Sequence, residues 1–115
     1  MGRIAETMAT KTDMLQASGA GMPSNKYIEL SVGASGSAYT APANGYFAFR
    51  TTNTASANNY TYLENATTNM CFYAMAAAGV VADGFIPAKK GDFVTLGYFN
   101  SIINTFIFIY AEGSK

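Results

Sequence analysis

The side chains that usually carry acid–base or nucleophilic chemistry are scarce in this chain of 115 residues. It contains no histidine and a single cysteine, Cys71. Without an imidazole, a serine or cysteine nucleophile lacks its usual general base, and the commonest metal ligand is missing too. One cysteine can form neither an internal disulfide nor a structural zinc site. Because Cys71 lies inside an apolar run, we expect a buried, unreactive thiol.

The carboxylates are the remaining groups that suit catalysis or metal binding, and they are widely spaced. A glycosidase needs two carboxylates facing each other across a cleft, and calcium needs several oxygen ligands close together. No loop in the sequence has that density of acids, and no glycine-rich phosphate-binding motif occurs. We therefore expect a non-catalytic protein without a metal or a cofactor. The carboxylates beyond residue 25 are Glu29, Glu64, Asp83, Asp92 and Glu112.

A pair of tyrosines is better suited to binding than to catalysis. Tyr60 and Tyr62 fall on one face of a predicted strand, directly after Asn58 and Asn59. Tyrosines among small polar residues offer ring faces for stacking and hydroxyls for hydrogen bonds, which suits sugars or protein surfaces. The alternative is that both tyrosines pack on a neighbouring subunit. These four residues form the predicted ligand surface together with Arg50.

Arg50 has two alternative roles at the end of its predicted strand. It either contacts a ligand or forms an ion pair between subunits, with Glu64 or Glu112 of another copy. Elsewhere the charges are balanced, with seven basic and seven acidic residues and a formal net charge of zero. Because no basic stripe is present, we do not expect nucleic acid as a partner.

The composition predicts self-association. Charged residues make up 12% of the chain, about half the share of an ordinary soluble domain. Aromatic residues make up 14%, and apolar patches left on a monomer of this size usually meet another protein chain. No apolar run is long enough to span a membrane or to act as a signal peptide. We therefore expect no membrane insertion and no secretion.

The first part of the chain differs from the rest. Residues 1–18 carry apolar side chains at heptad spacing over two heptads, which predicts a short amphipathic helix. Such a helix is either part of a stalk or a frayed tail, because its length is marginal for stability on its own. A small, glycine-containing linker follows. We assign residues 1–24 to this segment and residues 25–115 to a single β domain.

From Lys26 onward the apolar residues recur every second position, as in half-buried β-strands. Ile28, Leu30 and Val32 alternate with more polar neighbours, which predicts that these three face the core. Seven or eight short strands are separated by turn signals every 8–12 residues, typical of a sandwich or barrel. We expect Asp83–Gly84 to be one such turn.

Two strands lack a polar face altogether. Met70–Met75 and Phe106–Tyr110 are apolar at odd and even positions alike. An antiparallel sheet with one wet face alternates apolar and polar residues, so these strands need cover on both sides. In a two-layer sandwich the second cover is another chain or a folded-back segment.

Three motifs in order resemble the jelly rolls of the complement and tumour-necrosis-factor family. Tyr39–Phe49 (YTAPANGYFAF) resembles the aromatic-x-A-P-x-x-G-aromatic hairpin of that family. Ile86–Leu96 (IPAKKGDFVTL) resembles its K-G-D-x-V-x-L hairpin, and Thr105–Gly113 (TFIFIYAEG) resembles its closing strand. Gly45 and Gly91 in the two hairpins are expected at turns that need positive φ. The resemblance covers residues 25–113. The form of these motifs is similar to that in small bacteriophage and prophage tail-fibre or receptor-binding proteins.

The resemblance implies an all-β, antiparallel two-sheet jelly-roll sandwich that assembles as a homotrimer. The family's ten strands exceed what this shorter chain provides, so some strands or loops must be trimmed. By this resemblance the protein is a virion module, made in the bacterial cytoplasm, that attaches a phage-like particle to a bacterial surface glycan or protein. The alternative is a structural head-fibre, capsid-decoration or assembly protein that contacts other virion proteins and has no ligand. A cytokine-like ligand fits the fold but lacks a secretory segment. The predicted trimer interface consists of Met70, Phe72, Phe106, Phe108 and Tyr110.

Overall fold

A computed structural model of the chain describes residues 21–54 and 59–113. This part of the chain contains eight β-strands and no helix. The predicted helix over residues 1–18 lies outside the described residues. The strands are β1 (Pro23–Glu29), β2 (Ser37–Thr40), β3 (Gly45–Asn53), β4 (Tyr60–Asn65), β5 (Met70–Ala74), β6 (Val81–Ala88), β7 (Phe93–Phe99) and β8 (Ser101–Ala111).

The strands form two four-stranded sheets. The first has the order β1-β8-β3-β6 and the second the order β2-β7-β4-β5. Strand β1 pairs with β8, β2 with β7, β3 with β6 and β4 with β5, all antiparallel. The chain therefore pairs as one long hairpin that has been rolled into two layers, which is the connectivity of a jelly roll. The predicted all-β, two-sheet architecture is confirmed.

The core lies between the sheets and is built from alternate residues of the central strands. Phe47 of β3 and Phe108 of β8 are fully buried, as are Leu63 of β4 and Val94 of β7. Each contributes apolar area removed from water, which is the main driving force for the fold. The ring pair Phe47–Phe108 packs edge to face at 5.0 Å.

Several local expectations need correction. Asp83–Gly84 is not a turn, because β6 runs through both residues. A Cβ on Gly84 would lie 2.6 Å from atoms of the Phe49 and Phe72 rings, so the glycine makes room for core aromatics. Ile28 and Val32, both predicted to face the core, are 38% and 42% exposed.

The two hairpin glycines have different roles. Gly91 has a φ of 91°, as expected for a tight turn. Gly45 is not among the positive-φ residues. A Cβ there would lie 2.1 Å from the backbone oxygen of Ile109, so Gly45 is needed for the close approach of β3 and β8.

Candidate functional site

Four aromatic rings lie together on the outer face of the second sheet. Tyr60 is 5.6 Å from Tyr73 and 5.7 Å from Phe99 between ring centroids, with interplanar angles of 24° and 25°. Tyr62 lies 6.2 Å from Tyr73 at 10° and 6.0 Å from Tyr60 at 33°. We call these four residues, from strands β4, β5 and β7, the aromatic patch.

Gly97 sets the position of one of these rings. It lies opposite Tyr62 in the pairing of β4 with β7. A Cβ on Gly97 would lie 2.1 Å from Cε1 and 2.3 Å from Cζ of Tyr62. The Tyr62 ring therefore rests directly on the backbone of β7 at a place where any other residue would push it away.

The patch combines exposed ring surface with polar groups. Tyr73 is 55% exposed and Phe99 is 48% exposed. The hydroxyls of Tyr39, Tyr46 and Tyr98 each donate a hydrogen bond to a backbone carbonyl.

By contrast, within residues 21–54 and 59–113 the structure gives the hydroxyls of Tyr60, Tyr62 and Tyr73 no hydrogen-bond partner. The exposed carboxylate of Glu64 follows Tyr62 by two residues and so lies on the same face of β4. The patch therefore offers phenol and carboxylate groups to a ligand.

The asparagines predicted beside the tyrosines do not join them. Asn59 is 5% exposed, and its side chain donates from Nδ2 to the carbonyl of Ala76 at 2.7 Å. The Oδ1 of Asn59 accepts a hydrogen bond from the backbone amide of Ala76 at 3.1 Å. Asn59 therefore anchors the chain that leaves β5, which corrects its predicted place on the ligand surface. Asn58 lies outside the described residues.

Arg50 lies on the other sheet, away from the tyrosines. It points outward from β3 and pairs with Asp83 of β6, with Nε to Oδ1 at 2.7 Å and Nη2 to Oδ2 at 3.0 Å. This hydrogen-bonded pairing raises the pKa of Arg50 and lowers that of Asp83. Within one chain Arg50 is therefore paired with a carboxylate of the adjacent strand, and the ion pair with Glu64 or Glu112 of another copy stays a prediction.

The Arg50–Asp83 pair borders an apolar groove on the outer face of the first sheet. The groove has a volume of about 570 Å³. Its floor is formed by side chains that face outward from β3, β6 and β8, and Tyr27 continues this face on β1 because it pairs with Ile109. Groove residues include Tyr46, Ala48, Phe85, Thr105, Ile107 and Ile109.

The residues predicted at a trimer interface are separated by the fold. Phe106 and Phe108 are 3% and 0% exposed because they pack between the sheets. This corrects their predicted contact with a second chain, since the outward face of β8 carries Ile107 and Ile109 instead. Phe72 is half-buried against Phe49.

The other two predicted interface residues keep some exposed surface. Tyr110 is half-buried, packs edge to face on Phe108, and lies beneath the Nζ of Lys26 at 4.5 Å. Met70 is 50% exposed on the edge strand β5.

The single thiol also lies in a different environment than expected. Cys71 is exposed on β5, which corrects the expectation of a buried thiol. Partial desolvation, and then the charge of Glu64, raise its pKa. Within the described ranges, no three Cys, Asp or Glu side chains come together as a metal site. The same part of the chain contains no helix that is long and apolar enough to cross a membrane.

Sequence reasoning missed half of the aromatic patch and most of the groove. Tyr73 pairs directly with Tyr62 in the β4–β5 ladder, and Phe99 pairs with Tyr60 in the β4–β7 ladder. One signal was available, since a glycine inside a strand marks a close approach by another group. Gly97 is such a residue.

No family model matches the chain, and no curated protein matches its sequence. A search of solved structures found a carbohydrate-binding module, CBM6cm-2, from Cellvibrio mixtus lichenase 5A in complex with cellotriose. The two share 11% sequence identity with a TM-score of 0.36, over 77% of this chain and 72% of the other. At that similarity the comparison assigns neither fold nor ligand. The strand order itself places the chain among jelly-roll-like β-sandwiches, with two separate candidate binding surfaces.

Proposed function

We propose that this protein is a non-catalytic module of a phage-like particle. It assembles as a homotrimer through the groove of its first sheet and attaches the particle to a bacterial surface glycan or protein. The observation that carries the proposal is the outer face of the first sheet. There Tyr27 and Phe85 are each 56% exposed beside the side chains of Ile107 and Ile109.

Self-association explains the apolar side chains on this face better than a monomer that exposes them to water. The inner face of the first sheet is already covered by the second sheet, so none of the described strands covers the groove, and a second copy of the chain is the proposed cover. Apolar concave surfaces of this kind on small proteins usually mark an interaction site. A second copy of the chain carries the same surplus of apolar surface. The number of three subunits rests on the resemblance in Tyr39–Phe49, Ile86–Leu96 and Thr105–Gly113.

The position of the two surfaces supports attachment as well as assembly. The groove and the aromatic patch lie on opposite outer faces of the sandwich, one on each sheet. A copy that associates through its groove therefore keeps its patch open to a ligand. Three such patches on one rigid assembly strengthen a weak contact through their high effective concentration.

Light scattering on the purified chain tests the assembly. We expect a mass of about three times 12.2 kDa at micromolar concentration. Phe85→Glu should lower the mass, because it places a charge in the groove. Phe93→Glu is the matched control, since Phe93 is also 56% exposed but lies on the second sheet. A wild-type mass near 12.2 kDa would exclude the trimer.

Binding to cells tests the attachment. The purified chain, labelled with a fluorophore, is incubated with a panel of bacterial isolates and measured by flow cytometry. Saturable binding to some isolates supports the attachment role. Incorporation into particles without any cell binding supports the alternative of a structural head-fibre or capsid-decoration protein.

A further inference from the structure

We propose that the aromatic patch is a binding platform for an extended β-1,4-linked glycan chain. This inference rests on the proposed attachment function and names the class of ligand that the attachment site takes. It adds Tyr73, Phe99 and Gly97 to the two tyrosines that the sequence singled out.

The orientation of the rings is the first reason. Most ring pairs that involve the core meet at steep angles, such as 74° for Tyr39–Phe106 and 80° for Phe49–Phe72. The four ring pairs that meet within the patch instead have interplanar angles of 33° or less. Near-parallel rings that stack with an offset form a stepped aromatic surface. The flat C–H faces of consecutive pyranose rings pack well on such a surface, and a β-1,4-linked chain is a flat ribbon of such faces.

The polar groups around the rings are the second reason. A sugar ring has apolar faces but carries hydroxyls around its edge, and each needs a hydrogen-bond partner when it leaves water. The hydroxyls of Tyr60, Tyr62 and Tyr73 can both donate and accept, and the structure gives them no partner among the described residues. The Glu64 carboxylate on the same face accepts further hydrogen bonds. A purely apolar partner would leave these groups unsatisfied.

The support beneath the rings is the third reason. Gly97 holds Tyr62 against the backbone of β7, because a Cβ there would overlap the ring. Tyr60 has ring neighbours on both adjacent strands, Tyr73 on β5 and Phe99 on β7. The platform is therefore organised by a sheet before the ligand arrives, which limits the conformational entropy lost on binding.

The contrast with the groove separates a glycan site from a subunit contact. The groove is walled by aliphatic and aromatic side chains, including Ile107 and Ile109, and its charged groups Arg50 and Asp83 already neutralise each other. The patch carries the carboxylate of Glu64 and three tyrosine hydroxyls that have no hydrogen-bond partner among the described residues. Hydrophobic association suits the groove, and recognition of hydroxyl groups suits the patch.

Calorimetric titration of the full chain tests this inference. The probes are chitohexaose and cellohexaose, both β-1,4-linked, and maltohexaose, whose α-1,4 links give a helical chain. We expect saturable binding of at least one β-linked probe and none of maltohexaose. Tyr73→Ala and Phe99→Ala should each weaken the binding at least about tenfold, or about 1.4 kcal/mol. Gly97→Ala should weaken it too by displacing the Tyr62 ring.

Phe93→Ala is the control, because Phe93 lies on the same sheet with similar exposure but outside the patch. The affinity of this variant for the glycan probes should stay within about twofold of wild type. The variants in the patch should lose about tenfold, or about 1.4 kcal/mol. Absence of binding to both β-linked probes overturns the inference, as does equal binding of maltohexaose. A variant that fails to fold leaves this test intact, because the comparison of probes uses the wild-type chain alone.

Light scattering and cell binding distinguish this inference from the proposed function. If Tyr73→Ala lowers the mass of the assembly, the patch is a subunit contact and the inference is wrong. If the wild-type chain and Tyr73→Ala bind bacterial cells equally, the attachment role stands while the glycan platform is wrong. If the wild-type chain is monomeric and binds no cells, the proposed function itself is wrong.

Discussion

Asn65 donates a hydrogen bond from Nδ2 to Oδ2 of Asp92 over 3.0 Å, and both residues are buried. Asp92 also accepts from the backbone amide of Lys89 at 2.9 Å. Asn65 meanwhile accepts at Oδ1 from the amide of Thr67 at 2.9 Å. This network ties the end of β4 to the turn that precedes β7. It explains the aspartate of the K-G-D motif as a structural residue of the turn.

The stability of the protein should fall in acid because of Asp92. Its hydrogen bond from Asn65, and then that from Lys89, lower its pKa below the ordinary value. A carboxyl whose folded pKa is lowered stabilises the fold above its unfolded pKa, and this is lost as the pH falls through the folded value. We expect the urea midpoint to stay level above about pH 5 and to drop below about pH 4.

Asp92→Asn should make that drop shallower, because its amide cannot titrate. It should also lower the midpoint at neutral pH, since an amide replaces the charged acceptor. Asp83→Asn is a useful comparison, because the pKa of Asp83 is also lowered but through an exposed pair. Parallel pH profiles for wild type and Asp92→Asn between pH 3 and 7 would show that Asp92 is not responsible.

Gly45→Ala should destabilise the first sheet strongly. The added Cβ would meet the carbonyl oxygen of Ile109 at 2.1 Å, and backbone of a central strand cannot move aside cheaply. We expect a loss of about 3 kcal/mol or more in the free energy of unfolding. Gly91→Ala meets no atom within 4 Å and should cost only about 1–2 kcal/mol for its positive φ. A larger loss for Gly91→Ala in urea unfolding would contradict this assignment.

Replacing a large side chain at the centre of the core with alanine should lower the free energy of unfolding, because it leaves a cavity. Phe108 and Leu63 are both 0% exposed, from opposite sheets. Phe108→Ala should cost about 3–5 kcal/mol and Leu63→Ala about 2–5 kcal/mol. Ile102→Ala serves as the control, because Ile102 is 57% exposed and should change stability by about 0.5 kcal/mol or less. Equal losses of unfolding free energy for Phe108→Ala and Ile102→Ala, measured by chemical unfolding, would show that Phe108 does not lie at the centre of the core.

Cys71 should react with a disulfide reagent in the folded protein, because its thiol is exposed. Its raised pKa reduces the thiolate fraction, so the reaction should be slower than that of glutathione at the same pH. Glu64→Gln should speed the reaction, because it removes a negative charge that helps to raise the pKa of Cys71. Asp83→Asn on the other sheet should leave the rate unchanged. A thiol that reacts only in urea would mean that β5 is covered.

Much of the fold is readable from local patterns in the sequence. The alternation of apolar residues and the turn residues between them predicted the succession of short strands in a sandwich or barrel, and the resemblance of the three motifs predicted the two-sheet jelly roll. Gly91 was correctly assigned to a turn that needs positive φ. These features depend on a few neighbouring residues, so a single sequence contains the information.

The errors occurred where the answer depends on distant residues. Gly84 was interpreted as a turn residue, yet its lack of a side chain makes room for the rings of Phe49 and Phe72, which come from other strands. Asn59 was placed on the surface, but it binds the backbone of Ala76. No local pattern distinguishes a glycine or asparagine used for packing from one used in a turn or on the surface.

The sequence by itself determined that Tyr60 and Tyr62 share a face and that β8 is apolar on both sides, because side chains in a strand alternate with a period of two. Only the tertiary structure decided that Phe106 and Phe108 face inward while Ile107 and Ile109 line the groove. Only the tertiary structure brought Tyr73 and Phe99 beside the two tyrosines. The reason is that a strand pattern defines two faces, whereas the pairing of strands far apart in the chain decides what each face meets.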